Sequence, residues 1–148
     1  MKREHVIKLR TDIKKLIRIQ GVFESQKLPN GPFEKPLPVS QMMALEELEL
    51  EKLTVWELSN KLMLENSTVS RIVDQLVKKG LIYREVNEKN RRELFLHLTE
   101  KGHITVNCLR EYSITFYQRI LGNLSESEQK KVVDGFELFI DSISKPFD

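Results

Sequence analysis

The stretch Leu53–Gly102 (LTVWELSNKLMLENSTVSRIVDQLVKKGLIYREVNEKNRRELFLHLTEKG) most constrains the fold, because three structural devices follow one another in it. Thr54-x-x-Glu57 is a capping box that opens a short helix over Leu53–Lys61, with Val55, Leu58 and Leu62 pointing inward. Met63-Leu64-Glu65-Asn66 reads as a turn, with Glu65 or Asn66 capping the next helix. That helix runs from about Asn66 to Lys79. Val69, Ile72, Val73 and Leu76 fall on one face at the 3.6-residue period. Lys78-Lys79-Gly80 ends it, with basic residues in the last turn and glycine just past it. Two β-patterned runs follow, Leu81–Val86 and Glu93–Leu98, joined by the polar tip Asn87–Arg92.

Helix, turn, helix and a two-stranded wing make a winged helix-turn-helix, a unit that generally places its second helix in the DNA major groove. The polar face of that helix carries Ser67, Thr68, Ser70, Arg71, Asp74 and Gln75. Small hydroxyls at a helix start suit close approach to phosphate, because free N–H groups there attract anions. Arg71 suits a guanine edge and Gln75 an adenine edge. Alone, these are ordinary surface residues of a helix; the wing beside them, with Lys89, Arg91 and Arg92 at its tip, turns the reading toward DNA. The net charge of +2 is too small to indicate nucleic-acid binding by itself. It is locally concentrated, however: between Ser67 and Arg92 the bases Arg71, Lys78, Lys79, Arg84, Lys89, Arg91 and Arg92 outnumber Asp74, Glu85 and Glu88.

The stretch resembles the winged-helix domain of the MarR family of bacterial transcription regulators. The resemblance lies in Ser67-Thr68-Val69-Ser70-Arg71, in Asp74 and Leu76 running into Lys79-Gly80-Leu81-Ile82-x-Arg84, in the wing Asn90-Arg91-Arg92, and in the exit Leu98-Thr99-x-x-Gly102. Each piece is weak alone; in this order and spacing they are specific. One departure is Asn90, where the family wing usually carries aspartate. The resemblance implies a homodimer, and a charge network of Asp74, Arg84 and Arg92 tying the second helix to the wing. It also implies a small-molecule effector, such as an aromatic carboxylate or phenol, in a cleft beside the dimer helices. Phe23, Met43 and Tyr112 are placed to line such a cleft, though core packing explains them as well.

The flanking segments fit this layout. Residues 2 to about 27 read as one helix, with Val6, Leu9, Ile13, Leu16, Ile17 and Phe23 at helical steps and Lys8, Arg10, Lys14, Lys15 and Arg18 largely on other faces. That basic face reads as solvated surface, with phosphate contact the sharper alternative. Leu28–Val39 holds Pro29, Gly31, Pro32, Pro36 and Pro38 and reads as a stiff loop. Ser40 is expected to cap a helix bearing Met42, Met43, Leu45 and Leu48, with the methionine pair as core filler. Trp56 is expected either to be partly buried beside Val55, Leu58 and Leu62 or to lie near the following strand, with no binding role. Thr99 should cap a long helix over Glu100–Leu121 whose apolar face is Ile104, Cys108, Tyr112, Phe116 and Ile120. Gly122-Asn123 breaks it, and Ser125-x-x-Glu128 is a second capping box. The last helix carries Val132, Val133, Phe136, Phe139, Ile140 and Ile143, with Pro146 at its end. So wide an apolar arc needs a partner. A symmetric dimer that interleaves the terminal helices supplies one, and its two-fold axis matches a pseudo-palindromic operator.

Other chemistries find little support. His5, His97 and His103 are scattered, and His103 and Cys108 are five apart, so no metal site and no other cofactor is expected. The single Cys108 excludes an internal disulfide and fits a reducing cytoplasm; its place among apolar residues reads as a buried, structural thiol. No run approaches the roughly 20 apolar residues of a membrane span, and no apolar signal core is present. Neither a phosphate loop nor a catalytic constellation is visible, so an enzyme is the poorest hypothesis. The expected protein is mostly α with a small β-wing. Residues 39–98 form the winged helix-turn-helix, and 1–38 with 99–148 form a helical dimerisation region. The expected function is a cytoplasmic, homodimeric regulator, a repressor, that binds double-stranded DNA through Ser67, Thr68, Ser70, Arg71, Gln75, Lys89, Arg91 and Arg92. The competing class is a helical protein–protein adaptor that keeps its winged helix for interaction only.

Overall fold

The capping and periodicity signals become elements in the expected order. A computed structural model of the chain describes residues 1–24 and 37–144, with the side chains of 20–24 left undescribed. The described elements are α1 (Arg3–Glu24), α2 (Val39–Leu50), α3 (Val55–Leu62), α4 (Asn66–Lys78), β1 (Ile82–Val86), β2 (Leu94–Leu98), α5 (Glu100–Leu121) and α6 (Glu126–Ile143). The protein is mostly helical with one antiparallel two-stranded wing. It divides into two compact units, Met1–Arg110 and Glu111–Asp148.

The core of the first unit is where α2, α3, α4 and the wing meet. Leu45 of α2, Leu58 of α3, Val69, Val73 and Leu76 of α4, and Leu96 of β2 are all inaccessible to solvent. Burial of each such side chain contributes roughly 1.5–3 kcal/mol. The expected inward residues of α4 are the observed ones; in α3 Leu58 and Leu62 are buried as expected, Val55 is only partly buried, and Ser59 is buried beside them. The wing pairs Ile82 with Leu98, Arg84 with Leu96 and Val86 with Leu94. Leu53, just before α3, adds a bridge to Leu96, whose N–H donates to the Leu53 carbonyl at 2.8 Å. This bond anchors the root of the wing to the helix-turn-helix.

Two glycines make the joint between α4, β1 and α5. Gly80 has φ +71°, a left-handed conformation that turns the chain out of α4. The Leu81 N–H closes the helix by donating to the Leu76 carbonyl at 3.0 Å. Gly102 lies in the first turn of α5, where an added Cβ would stand 2.1 Å from the Leu81 carbonyl oxygen. Thr99 caps α5 as expected, its hydroxyl accepting from the Gly102 N–H at 3.0 Å while donating to the Gly80 carbonyl at 2.6 Å.

The joint sets the phase of α5, and the phase differs from expectation. The buried face is Gly102, Thr105, Val106 and Leu109, whereas Ile104 is exposed and Cys108 only half-buried. The more apolar stripe does not face this core: the side that carries Gly102 does, because glycine allows the close approach to Leu81. Three further expectations are corrected. Ser40 does not cap α2: it sits inside the helix, and Pro38 takes the cap position without a side-chain hydrogen bond. The proline supplies the extended φ the cap needs, and its carbonyl accepts from the N–H groups of Gln41 and Met42. Met43 is exposed, with only Met42 packed against the core, and Trp56 is 62% exposed. The side chain of Phe23, the prolines before Pro38, residues 25–27 and Pro146 lie outside what is described.

The second unit closes a helical corner. Ser125 N donates to Glu128 Oε2 at 2.8 Å and Glu128 N to Ser125 Oγ at 3.3 Å, completing the expected capping box. The amide and hydroxyl of Ser125 hold the Glu128 carboxyl below its ordinary value. Gln129 Nε2 donates to the carbonyls of Leu121 and Leu124, which fixes the turn. No residue of α6 is buried, and Val133, Phe136, Leu138 and Ile140 are each half exposed or more. The described apolar side chains of α1 are likewise exposed, apart from a half-buried Ile13.

Gly102→Ala should destabilise the protein by about 1–3 kcal/mol, since the methyl group forces α5 away from Leu81. Urea unfolding followed by circular dichroism measures this; an unchanged midpoint would show that the joint relaxes freely.

Candidate nucleic-acid interface

The face of α4 opposite its buried row is polar. Ser67, Ser70, Arg71, Asp74 and Gln75 are exposed and Thr68 is half-buried. The helix start is unlike those of α3 and α6. Glu65 is its cap residue but makes no side-chain capping bond, and the first turn contains no acid. In α3 the Thr54 hydroxyl accepts from Glu57 N at 3.2 Å. The first N–H groups of α4 thus keep no intramolecular side-chain acceptor, and they favour an anion.

Behind this face stands a contact that periodicity could have revealed. Gln41 shares the helical phase of Ala44, Leu45 and Leu48 on the buried side of α2 and is only 3% exposed. Its Nε2 donates to Gln75 Oε1 at 2.7 Å, and its Oε1 accepts from Lys79 Nζ at 2.7 Å. Burial lowers the Lys79 ammonium from its ordinary value. Gln75 is therefore exposed at its tip but tethered from within.

Arg84 on β1 forms an ion pair with Asp74 on α4. Both partners are substantially exposed, so the pair contributes at most about 1 kcal/mol and acts chiefly to orient. Arg92 forms no ion pair with Asp74, so among the described residues the network that the resemblance implies comprises Arg84 and Asp74 alone. On the other wing face Tyr83 stacks on His97 with centroids 5.0 Å apart, and Lys52 lies 4.5 Å above the Phe95 ring. His97 Nε2 is 2.5 Å from Glu85 Oε2 without an aligned hydrogen bond. Among the described residues no group of His, Cys, Asp or Glu could hold a metal ion.

The wing tip is built by two asparagines. Asn87 Oδ1 accepts from Lys89 N at 3.0 Å, and Asn90 Oδ1 accepts from Arg92 N at 3.3 Å. These are Asx turns, in which a short side chain substitutes for a backbone acceptor. Backbone bonds close the tip, from Asn90 N to the Asn87 carbonyl and from Glu93 N to the Asn90 carbonyl. Asn90 thus orders the tip without a carboxylate. Lys89, Arg91 and Arg92 are exposed, and among the described residues only Arg91 of the three forms an ion pair, with Glu88 at 3.6 Å.

A helix-turn-helix with an uncapped, polar second helix, followed by a hairpin with a basic tip, defines a winged helix-turn-helix DNA-binding protein. Comparison with known proteins agrees. The MarR family model matches residues 37–94. The HTH-type transcriptional regulator SarZ of Staphylococcus aureus is 32% identical over 107 residues, which span 72% of this chain and 68% of SarZ. A MarR family protein from Bacillus stearothermophilus has a solved structure with a TM-score of 0.80 at 25% identity, covering 98% of this chain and 99% of that one. Streptococcus pneumoniae FabT, solved in complex with DNA, gives a TM-score of 0.77 at 21% identity over 94% of this chain and 99% of its own. This chain belongs to the MarR family. It is a DNA-binding transcription regulator and not an enzyme.

Asn90→Ala should loosen the tip, lowering backbone order parameters over residues 88–92 while leaving thermal stability within about 0.5 kcal/mol. Asn90→Asp keeps the acceptor and should keep the order. Nitrogen-15 relaxation distinguishes the two; equal mobility in both variants would rule out the Asx turn as the ordering device.

Proposed function

We propose that the chain is a homodimeric repressor that binds a pseudo-palindromic operator, with α4 in the major groove and the wing tip toward the minor groove. The observation that carries this reading is the partition of α4. Val69, Ile72, Val73 and Leu76 are buried, which turns Ser67, Ser70, Arg71 and Gln75 to the surface, with Thr68 half-buried at the helix start. Arg71 supplies a bidentate donor for a guanine edge, and the two serines and the uncapped helix start supply phosphate contacts. Lys89, Arg91 and Arg92 supply charge on a ribbon that suits the narrower groove. FabT, a protein of similar fold, is solved in complex with DNA, which supports DNA binding as the task of this fold.

The dimer rests on the apolar surface of the terminal helices, assigned here to residues 1–38 and 99–148. Val133, Phe136 and Ile140 recur at three- and four-residue steps on a helix that has no fully buried residue among those described. Half-sites would lie about one turn, roughly 10 bp, apart. Release by a small aromatic effector belongs to the same reading and is supported by the family resemblance. So does a cytoplasmic place of work; no described helix is long and apolar enough to cross a membrane.

Arg71→Ala should cost about 1–3 kcal/mol per half-site and relax preference at one base pair. Arg92→Ala should weaken binding to all sequences and make its salt dependence shallower. Titrations against operator and single-base variants at several salt concentrations test both; if Arg92→Ala alters base preference while Arg71→Ala lowers all affinities evenly, the docking is wrong. For assembly, Val133→Glu combined with Phe136→Glu should yield monomers in sedimentation velocity and lose operator binding. A double variant that sediments as a dimer would overturn the role of α6.

A further inference from the structure

Gln75 is joined to Lys79, the cap residue just past the end of α4, through the buried amide of Gln41. The direction of these hydrogen bonds is forced by chemistry. An ammonium has three donors and no acceptor, so the Gln41 atom that meets Lys79 Nζ must be the amide oxygen. This turns the Gln41 NH2 group toward Gln75, and a donor there requires the Gln75 oxygen to face it. The NH2 group of Gln75 is what remains for the outside. One charge thus sets the orientation of two amides in series. Solvent cannot substitute for either partner of Gln41, which is 3% exposed. Lys79 makes no ion pair among the described residues, so no carboxylate competes with the Gln41 oxygen.

We propose that Gln41 is a positioning residue that presets Gln75 as a hydrogen-bond donor, so that the base facing Gln75 is one presenting acceptors, with guanine favoured over adenine. The inference rests on the proposed reading of Gln75 as a base contact. It revises the adenine pairing expected from residue type. That pairing needs the Gln75 oxygen and nitrogen side by side on the base, and here the oxygen is held back by Gln41. Guanine offers N7 and O6, two neighbouring acceptors for an NH2 group, whereas adenine offers one acceptor and one donor.

The test uses the full-length dimer and a duplex site selected from random DNA, titrated with all single-base variants. In the wild type one position per half-site should prefer guanine over adenine by about tenfold, and Gln75→Ala should abolish that preference alone. Gln41→Glu keeps the shape and pairs with Lys79 but cannot donate. Gln75 must then turn its NH2 inward and present its oxygen. The preference at the same position should reverse by about tenfold toward adenine or cytosine, whose exocyclic amines donate, with other positions unchanged. A merely structural role for Gln41 would lower all affinities together. If Gln75→Ala changes no base preference, the reading of Gln75 as a base contact fails. If Gln75→Ala removes the preference but Gln41→Glu leaves guanine favoured, or if the wild type favours adenine there, the preset fails. A measurement without DNA guards against misfolding of Gln41→Glu. The side-chain amide resonances of Gln41 and Gln75 should both move in Lys79→Met, and a Gln75 amide indifferent to Lys79 would overturn the relay.

Discussion

Burial of one face of α4 is the interaction on which the rest depends. Val69, Ile72, Val73 and Leu76 sit in a core shared with α2, α3 and β2. A helix with four fixed inward positions has no rotational freedom left, so the outward residues are specified as tightly as the inward ones. The polar face could tolerate many sequences without loss of fold. That its members are hydroxyls, an arginine and a glutamine is therefore information about a surface, carried by a helix whose orientation hydrophobic packing has already settled.

Where one pattern dominated, the sequence was legible. The capping boxes at Thr54 and Ser125, the apolar row of α4, Gly80 and the alternation of the wing are local signals, and each appears where local chemistry puts it. Failures occurred where local pattern did not decide. In α5 the more apolar stripe is not the one buried in this core, because the seat against the carbonyl of Leu81 needs Gly102, a contact distant in sequence. Met43 and Trp56 are apolar by composition but lie on the outer faces of α2 and α3, a matter of phase that hydropathy alone does not resolve. Gln41 was missed for the opposite reason: its phase is that of the core, and its polarity concealed it. The site residues on α4 and the wing were legible as a surface, whereas the tether behind Gln75 needed three side chains from two helices.

The two units have unlike sources of stability. The first has a closed core in which strands and helices bury each other's apolar faces. In the second, α5 and α6 meet through a capped, hydrogen-bonded corner while the apolar side chains of α6 remain outside. Local bonds of this kind preserve the shape of a corner but bury little area, and burial is the dominant favourable term in folding.

The short joint at Lys79–Leu81 also restricts how this architecture can diversify. Side chains alternate between faces of a strand, so one residue inserted between α4 and β1 would exchange the two faces of the wing and expel Ile82 from the core. The Gly80 turn, the Thr99 bonds and the close seat of Gly102 leave no slack to absorb it. The tip between Asn87 and Glu93 is under no such restriction, because it packs against nothing buried. Length variation among descendants of this chain should thus accumulate at the far end of the hairpin. The reach of the wing is open to change, while its bearing relative to the helix is inherited.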